Sequence, residues 1–213
     1  MRTFCGIKKY VKLEYKGGVE VNYVNVGYDS TNHYAITSRK GYILIDVGMP
    51  GTMKKLVYSL SKKGINAKDI SHVMVTHFHP DHCGIVQDLQ QIGIELMISN
   101  IQSTFFDNAN KFLKEFPQYK EIIINPKNVI TENDKNAFID RFGIPGYFIH
   151  TPGHSDDSIS IVIEGLGVFI GDLPLPGNNE LEKEKKIINS WDCIKSTREK
   201  RIFPAHASSF ELY

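Results

Sequence analysis

Only three cysteines, Cys5, Cys83 and Cys193, occur in 213 residues, and none stands in a CxxC pair. So few, odd in number and widely spaced, argue against a disulfide framework and a zinc knuckle, and fit a reducing compartment. Neither sign of charge is in excess, with 25 Lys and Arg against 24 Asp and Glu. No strong net field gathers a polyanion or an anionic membrane, so a nucleic-acid binder is not favoured. The cluster Lys183, Lys185 and Lys186 is read as a solvated helix face. Long apolar runs are also missing. The most apolar stretch, Tyr42 to Met49, is broken by Asp46, and the basic residues near Met1 have no apolar segment behind them. Neither a membrane span nor a signal peptide is therefore expected, and the expected location is cytoplasmic. Repeats, low-complexity tracts and Pro/Ser-rich linkers are absent, so residues 1–213 are expected to form a single domain of unknown oligomeric state.

Hydrophobic residues make up 41% and charged residues 23%, a globular balance. A chain of this length buries roughly 70% of the surface it exposes when unfolded, enough for a substantial core. The first third reads as paired strands at Val19 to Val26, Tyr34 to Thr37 and Tyr42 to Asp46, separated by Gly and Asn. From Pro50 to Lys63, Met53, Leu56, Val57 and Leu60 recur at helical spacing, and Gly64 supplies a stop. A strand at Ser71 to Thr76 follows, then a helix with Ile85, Val86, Leu89 and Ile92 on one face, then a strand at Glu95 to Ser99. Further strands are expected at Tyr147 to His150, Ser158 to Ile163, Val168 to Ile170 and Arg201 to Phe203. Helices are expected near Ile101 to Glu115 and Ser190 to Glu199. The sum is an α/β chain with helices enclosing two sheets.

Between the strand ending at Thr76 and the next helix lies His77, Phe78, His79, Pro80, Asp81, His82, three imidazoles and a carboxylate in six positions. These are borderline ligands suited to zinc or a similar divalent ion. At the end of an extended segment, side chains two apart point to the same side, so His77 and His79 can reach one ion. Pro80 ends the extended segment and starts a helix, which turns Asp81 and His82 elsewhere. Each ion needs further ligands. His154, Asp172 and His206 each follow an apolar strand and sit beside small turn residues, where strand ends converge at one rim.

This pattern resembles the metallo-β-lactamase superfamily, marked by HxHxDH followed by separate His, Asp and His ligands. The resemblance spans most of the chain and implies a four-layer αββα sandwich. It also implies two divalent ions, most often zinc, with manganese or iron as alternatives. By that motif His77, His79 and His154 would hold the first ion, Asp81, His82 and His206 the second, and Asp172 would bridge them. Asp46, at the end of its strand, would orient a ligand from behind, its alternative being a turn cap. His33 and His72 read as ordinary surface or strand residues, and His150 as a structural residue near the site. Cys83 reads as a small buried side chain, and Asp156 and Asp157 as turn carboxylates.

The resemblance implies hydrolysis of a small molecule by a water acidified between the two ions, with Asp81 or Asp172 relaying the proton. Several departures narrow the substrate. Related secreted β-lactamases usually carry Cys where Asp172 stands. Long glyoxalase II thioesterases add a helical domain after the last ligand, whereas seven residues follow His206. Lactonases of similar core carry Tyr where Leu175 stands. A small ester, thioester or lactone is the expected substrate. The alternatives are an RNA-processing phosphodiesterase, a persulfide dioxygenase using one iron, and a non-catalytic metal-binding module. Pocket walls are expected from Tyr28 to His33, Ile101 to Phe106 and Leu173 to Asn179.

Overall fold

The computed structural model describes residues 21–177 and 180–213. The first sheet opens as an antiparallel meander of β1 (Tyr23–Asn25), β2 (Tyr34–Ser38) and β3 (Gly41–Ile45). Helix α1 (Met53–Lys62) then returns the chain to β4 (Ile70–Met74), parallel to β3. The short α2 (Pro80–Cys83) and α3 (Val86–Gln91) lead to β5 (Glu95–Ser99), and α4 (Asn100–Leu113) leads to β6 (Val129–Ile130). The order in this sheet is β1-β2-β3-β4-β5-β6.

Helix α5 (Lys135–Phe142) precedes the second sheet, made of β7 (Gly146–His150), β8 (Ile159–Ile163), β9 (Gly167–Gly171), β10 (Arg201–Pro204) and β11 (Phe210–Glu211). Helix α6 (Leu181–Ser196) joins β9 to β10, which run parallel, and the order is β11-β10-β9-β8-β7.

Alternation along each strand builds the layers, because successive side chains leave opposite faces. In β3, Ile43 and Ile45 enter the core between the sheets, where they meet Phe148, Ile161, Phe169 and Phe203. Leu44 points the other way, and with Val73 and Leu96 it packs under Leu56, Leu60, Leu89 and Leu113 of the helices. On the far sheet Val162, Val168 and Ile202 pack against Ile187, Trp191 and Ile194 of α6. The result is the expected αββα sandwich.

The expected elements are present, with some differences. The first strand is confined to Tyr23–Asn25, and the expected residues 19–20 lie outside the described ones. Ile92 lies just past α3 and is exposed, so it does not share that helix's buried face. Helix α6 begins nine residues before the expected Ser190, in a Glu/Lys-rich stretch of which Ile187 is the first buried residue. Lys183, Lys185 and Lys186 fall on its solvated side, and Lys186 pairs with Asp156 at 2.9 Å. Helix α5 was not foreseen. It covers one end of the sandwich by burying Phe138 and Phe142, is capped by Asp134 accepting from the Ala137 N–H, and ends at Gly143 with φ 71°. Among the described residues no helix is long and apolar enough to cross a membrane.

Candidate metal centre

The ends of β4, β9 and β10 and the turn after β7 meet at one rim of the sandwich. Backbone bonds hold them together. Ile159 N–H donates to the Thr76 carbonyl at 2.8 Å, Ala205 N–H to the Gly171 carbonyl at 2.9 Å, and Asn32 N–H to the Ala205 carbonyl at 2.7 Å. Gly171 has φ 56°, and a Cβ there would lie 2.4 Å from Thr76 Oγ1. Glycine alone allows the backbone to turn so tightly against β4, and that turn delivers Asp172 to the rim.

All seven expected ligands come together. His77, His79 and His154 form one group whose ligand atoms lie within 4.8 Å of one another; Asp81, His82 and His206 form another; His77, His82 and Asp172 form a third. Pro80 stands at the first position of α2 as expected, which separates His79 from Asp81 and His82. The two oxygens of Asp172 face different groups. Oδ2 lies 3.5 Å from His154 Nε2 and 3.9 Å from His77 Nε2, while Oδ1 lies 3.4 Å from His82 Nε2 and 3.2 Å from His206 Nε2. Asp81 Oδ2 lies 3.4 Å from His82 Nε2 and 3.2 Å from His206 Nε2.

The ring nitrogens facing away from this cluster are fixed from behind. His82 Nδ1 donates to Asp46 Oδ2 at 3.0 Å, and Asp46 also accepts from Thr76 N–H at 2.7 Å and Thr76 Oγ1 at 2.9 Å. Asp46 thus orients a candidate ligand, and its own backbone is left-handed with φ 58°. His77 Nδ1 meets Thr76 Oγ1 at 3.2 Å, and His206 Nδ1 donates to the Ser30 carbonyl at 2.9 Å. Thr31 Oγ1 donates to Asp81 Oδ2 at 3.2 Å. The bonds at Nδ1 of His82, His77 and His206 hold a proton on that nitrogen and aim Nε2 at the cluster.

The residues fit a cation. His77 Nε2, His82 Nε2 and Asp172 Oδ1 are buried without a hydrogen-bond partner, at a cost a protein rarely bears unless something else binds there. Burial, with the neighbouring imidazoles of His82, His79 and His154, holds the His77 pKa well below its usual value, which keeps its lone pair free. Burial also works against charge on His82, yet Asp46, Asp172 and Asp81 together outweigh it and push its pKa up to about 12. The carboxylates therefore favour positive charge at this spot. A divalent ion held there would supply it and displace the proton.

Other expectations resolve differently. His33 is wholly buried rather than at the surface; it packs edge-on to Tyr28, and burial lowers its pKa to about 4. His72 is a buried residue of β4 beside Phe142, and His150 donates to the Asp156 carbonyl at 2.8 Å. Cys83 is fully buried, and burial raises its thiol pKa well above the ordinary value. Tyr28 and Thr31 do border the centre. On α4 the residues beside His79 are Phe105, Asn108, Ala109 and Phe112, so of the expected Ile101 to Phe106 only Phe105 takes part. Leu173 is buried beneath α6, and the expected residues 178–179 lie outside the described ones.

One residue does more than the sequence suggests. Asp157 is buried and accepts the Phe78 N–H at 2.6 Å. That bond ties the backbone between His77 and His79 to the turn carrying His154. Nothing in an Asp-Asp pair after a glycine turn separates such a clamp from a turn carboxylate. Asp157→Ala should therefore weaken zinc affinity about 10- to 100-fold, while Asp157→Asn, which keeps an accepting oxygen, retains most of it. Competition with a chelating dye measures this, and equal affinity in Asp157→Ala would remove the assigned role.

Two β-sheets are thus sandwiched by helices, and His and Asp clusters able to hold metal lie at one rim. Residues 26–206 match the family model described as the metallo-beta-lactamase superfamily, and the chain belongs to that family. It is 29% identical over 192 residues to a probable metallo-hydrolase of Methanocaldococcus jannaschii, covering 83% of this chain and 87% of that protein. To the atrochrysone carboxyl ACP thioesterase of Aspergillus fumigatus it is 26% identical over 182 residues, 84% of this chain and 38% of that one. The chain spans about half the length of several other curated relatives that it matches. The metallo-beta-lactamase GOB-18 of Elizabethkingia meningoseptica shares the fold, with a TM-score of 0.69 at 19% identity over 95% of this chain and 83% of that one.

Proposed function

We propose that the protein is a dinuclear hydrolase of a small ester, thioester or lactone. His77, His79 and His154 would hold one ion, Asp81, His82 and His206 the other, and Asp172 would bridge them. The observation that carries this reading is the split of Asp172, with Oδ2 toward the first imidazole group and Oδ1 toward the second. When bound, two zinc or manganese ions supply an acidified water and Lewis-acid charge for the scissile carbonyl. The chain's own residues do the rest. Asp46 and Thr76 hold His82 and His77 in one orientation, Ser30 does the same for His206, and the half-buried carboxylates of Asp172 and Asp81 stand where they can take a proton and pass it to the leaving group.

The A. fumigatus relative, a thioesterase by name, supports the ester and thioester side of the range. The near balance of charge and the aromatic wall beside His79 favour a neutral substrate over a polyanion. The test is a panel of esters, thioesters, lactones, β-lactams and phosphodiesters with zinc, manganese or iron, using Asp172→Ala as the blank. Turnover of carbonyl substrates is expected; turnover of phosphodiesters alone would reject the assignment.

A further inference from the structure

A cavity of about 300 Å³ opens directly beside His79. One wall is α4, which presents Phe105, Asn108, Ala109 and Phe112, spaced i, i+3, i+4 and i+7 and hence on one face. Phe78, between two of the candidate ligands, also lines it and packs edge-on against Phe106 at 5.2 Å. Phe112 remains 44% exposed, its ring centroid 6.3 Å from that of His79. A cleft with one largely aromatic wall therefore runs up to an imidazole of the candidate metal centre.

The opposite wall carries two carboxylates that are already engaged. Asp157 accepts the Phe78 N–H, and Asp156 pairs with Lys186. The Asp157 carboxylate, bonded only to a neutral amide, disfavours an anionic tail, while the aromatic rings reward an uncharged one. A volume of this size sits at the small end of ligand pockets.

We propose that this cleft is the acyl subsite of the enzyme and takes an uncharged, apolar acyl group, with the scissile carbonyl at the edge of His79 and His154. The proposal rests on the reading of the centre as an ester or thioester hydrolase. It narrows that reading to apolar acyl substrates and places specificity on α4.

The test uses the zinc-loaded full chain and p-nitrophenyl acetate, butyrate, hexanoate and octanoate. kcat/KM should rise about fourfold per added methylene until the cleft is filled. Asn108→Trp, at an exposed helix position, places an indole in the cleft and should collapse the octanoate-to-acetate ratio at least tenfold, with an unchanged thermal midpoint showing that the fold is intact. Phe112→Ser should lower the same ratio by removing one wall. A succinyl thioester should be at least tenfold poorer than the pentanoyl one. Hydrolysis with no dependence on chain length, or the same dependence in wild type and Asn108→Trp, would overturn the subsite and leave the hydrolase standing. No hydrolysis of any ester, thioester or lactone would overturn the hydrolase reading, and the subsite with it.

Discussion

Asp172→Ala is expected to lower kcat/KM by at least about 10³-fold, some 4 kcal/mol of transition-state stabilisation, for whichever substrates the panel shows to be hydrolysed. The side chain emerges from the turn after β9 into the cluster and packs against no core, so its removal should leave the fold intact by circular dichroism. What it takes away is charge and connection. Four imidazole nitrogens lie within 3.9 Å of its two oxygens, and these ring nitrogens, two of them buried, would lose their shared anion. Metal content should fall with turnover. Asp172→Asn keeps the volume but not the charge, and should be nearly as damaging. Turnover within threefold of wild type would show that Asp172 does not hold the centre together.

Asp46→Ala should be the most destabilising single change near the site. Asp46 is 3% exposed, and its carboxylate accepts from Thr76 N–H, Thr76 Oγ1 and His82 Nδ1. Alanine would leave a buried amide and a buried imidazole without a partner, at a cost of about 3–5 kcal/mol. For a chain of this size each kcal/mol moves the midpoint by roughly 2–4 °C, so a fall of about 10–15 °C is expected in a thermal melt. Asp46→Asn should fall between. Its oxygen can still accept from Thr76, but its amide opposes the His82 N–H. A drop of less than about 2 °C in Asp46→Ala would contradict this energetic role.

The candidate ligand residues were legible because each breaks a pattern that physics otherwise enforces. His77 to His82 place polar, titratable groups where an apolar strand hands over to a helix, and His154, Asp172 and His206 do the same at three other strand ends. The sandwich was legible from strands such as β3, whose apolar residues are needed on both faces. Other features depend on partners distant in sequence. Asp157 acts through Phe78, a contact that no local spacing encodes. Helix α5 rests on just two buried phenylalanines in a polar stretch, and the first turns of α6 bury only Ile187, too little apolar periodicity to register. The aromatic wall lies on a later turn of α4 than expected, because which turn meets His79 depends on how the helix packs and not on its own spacing, and Phe105, Asn108, Ala109 and Phe112 share the face that does.

The most direct test is to titrate metal-free protein with zinc while following both bound metal per chain and hydrolysis of a carbonyl substrate. Two tight equivalents, with turnover reaching its plateau only as the second is bound, are expected. Saturation at one ion, or oxygen uptake with a single iron in place of hydrolysis, would contradict a dinuclear hydrolase.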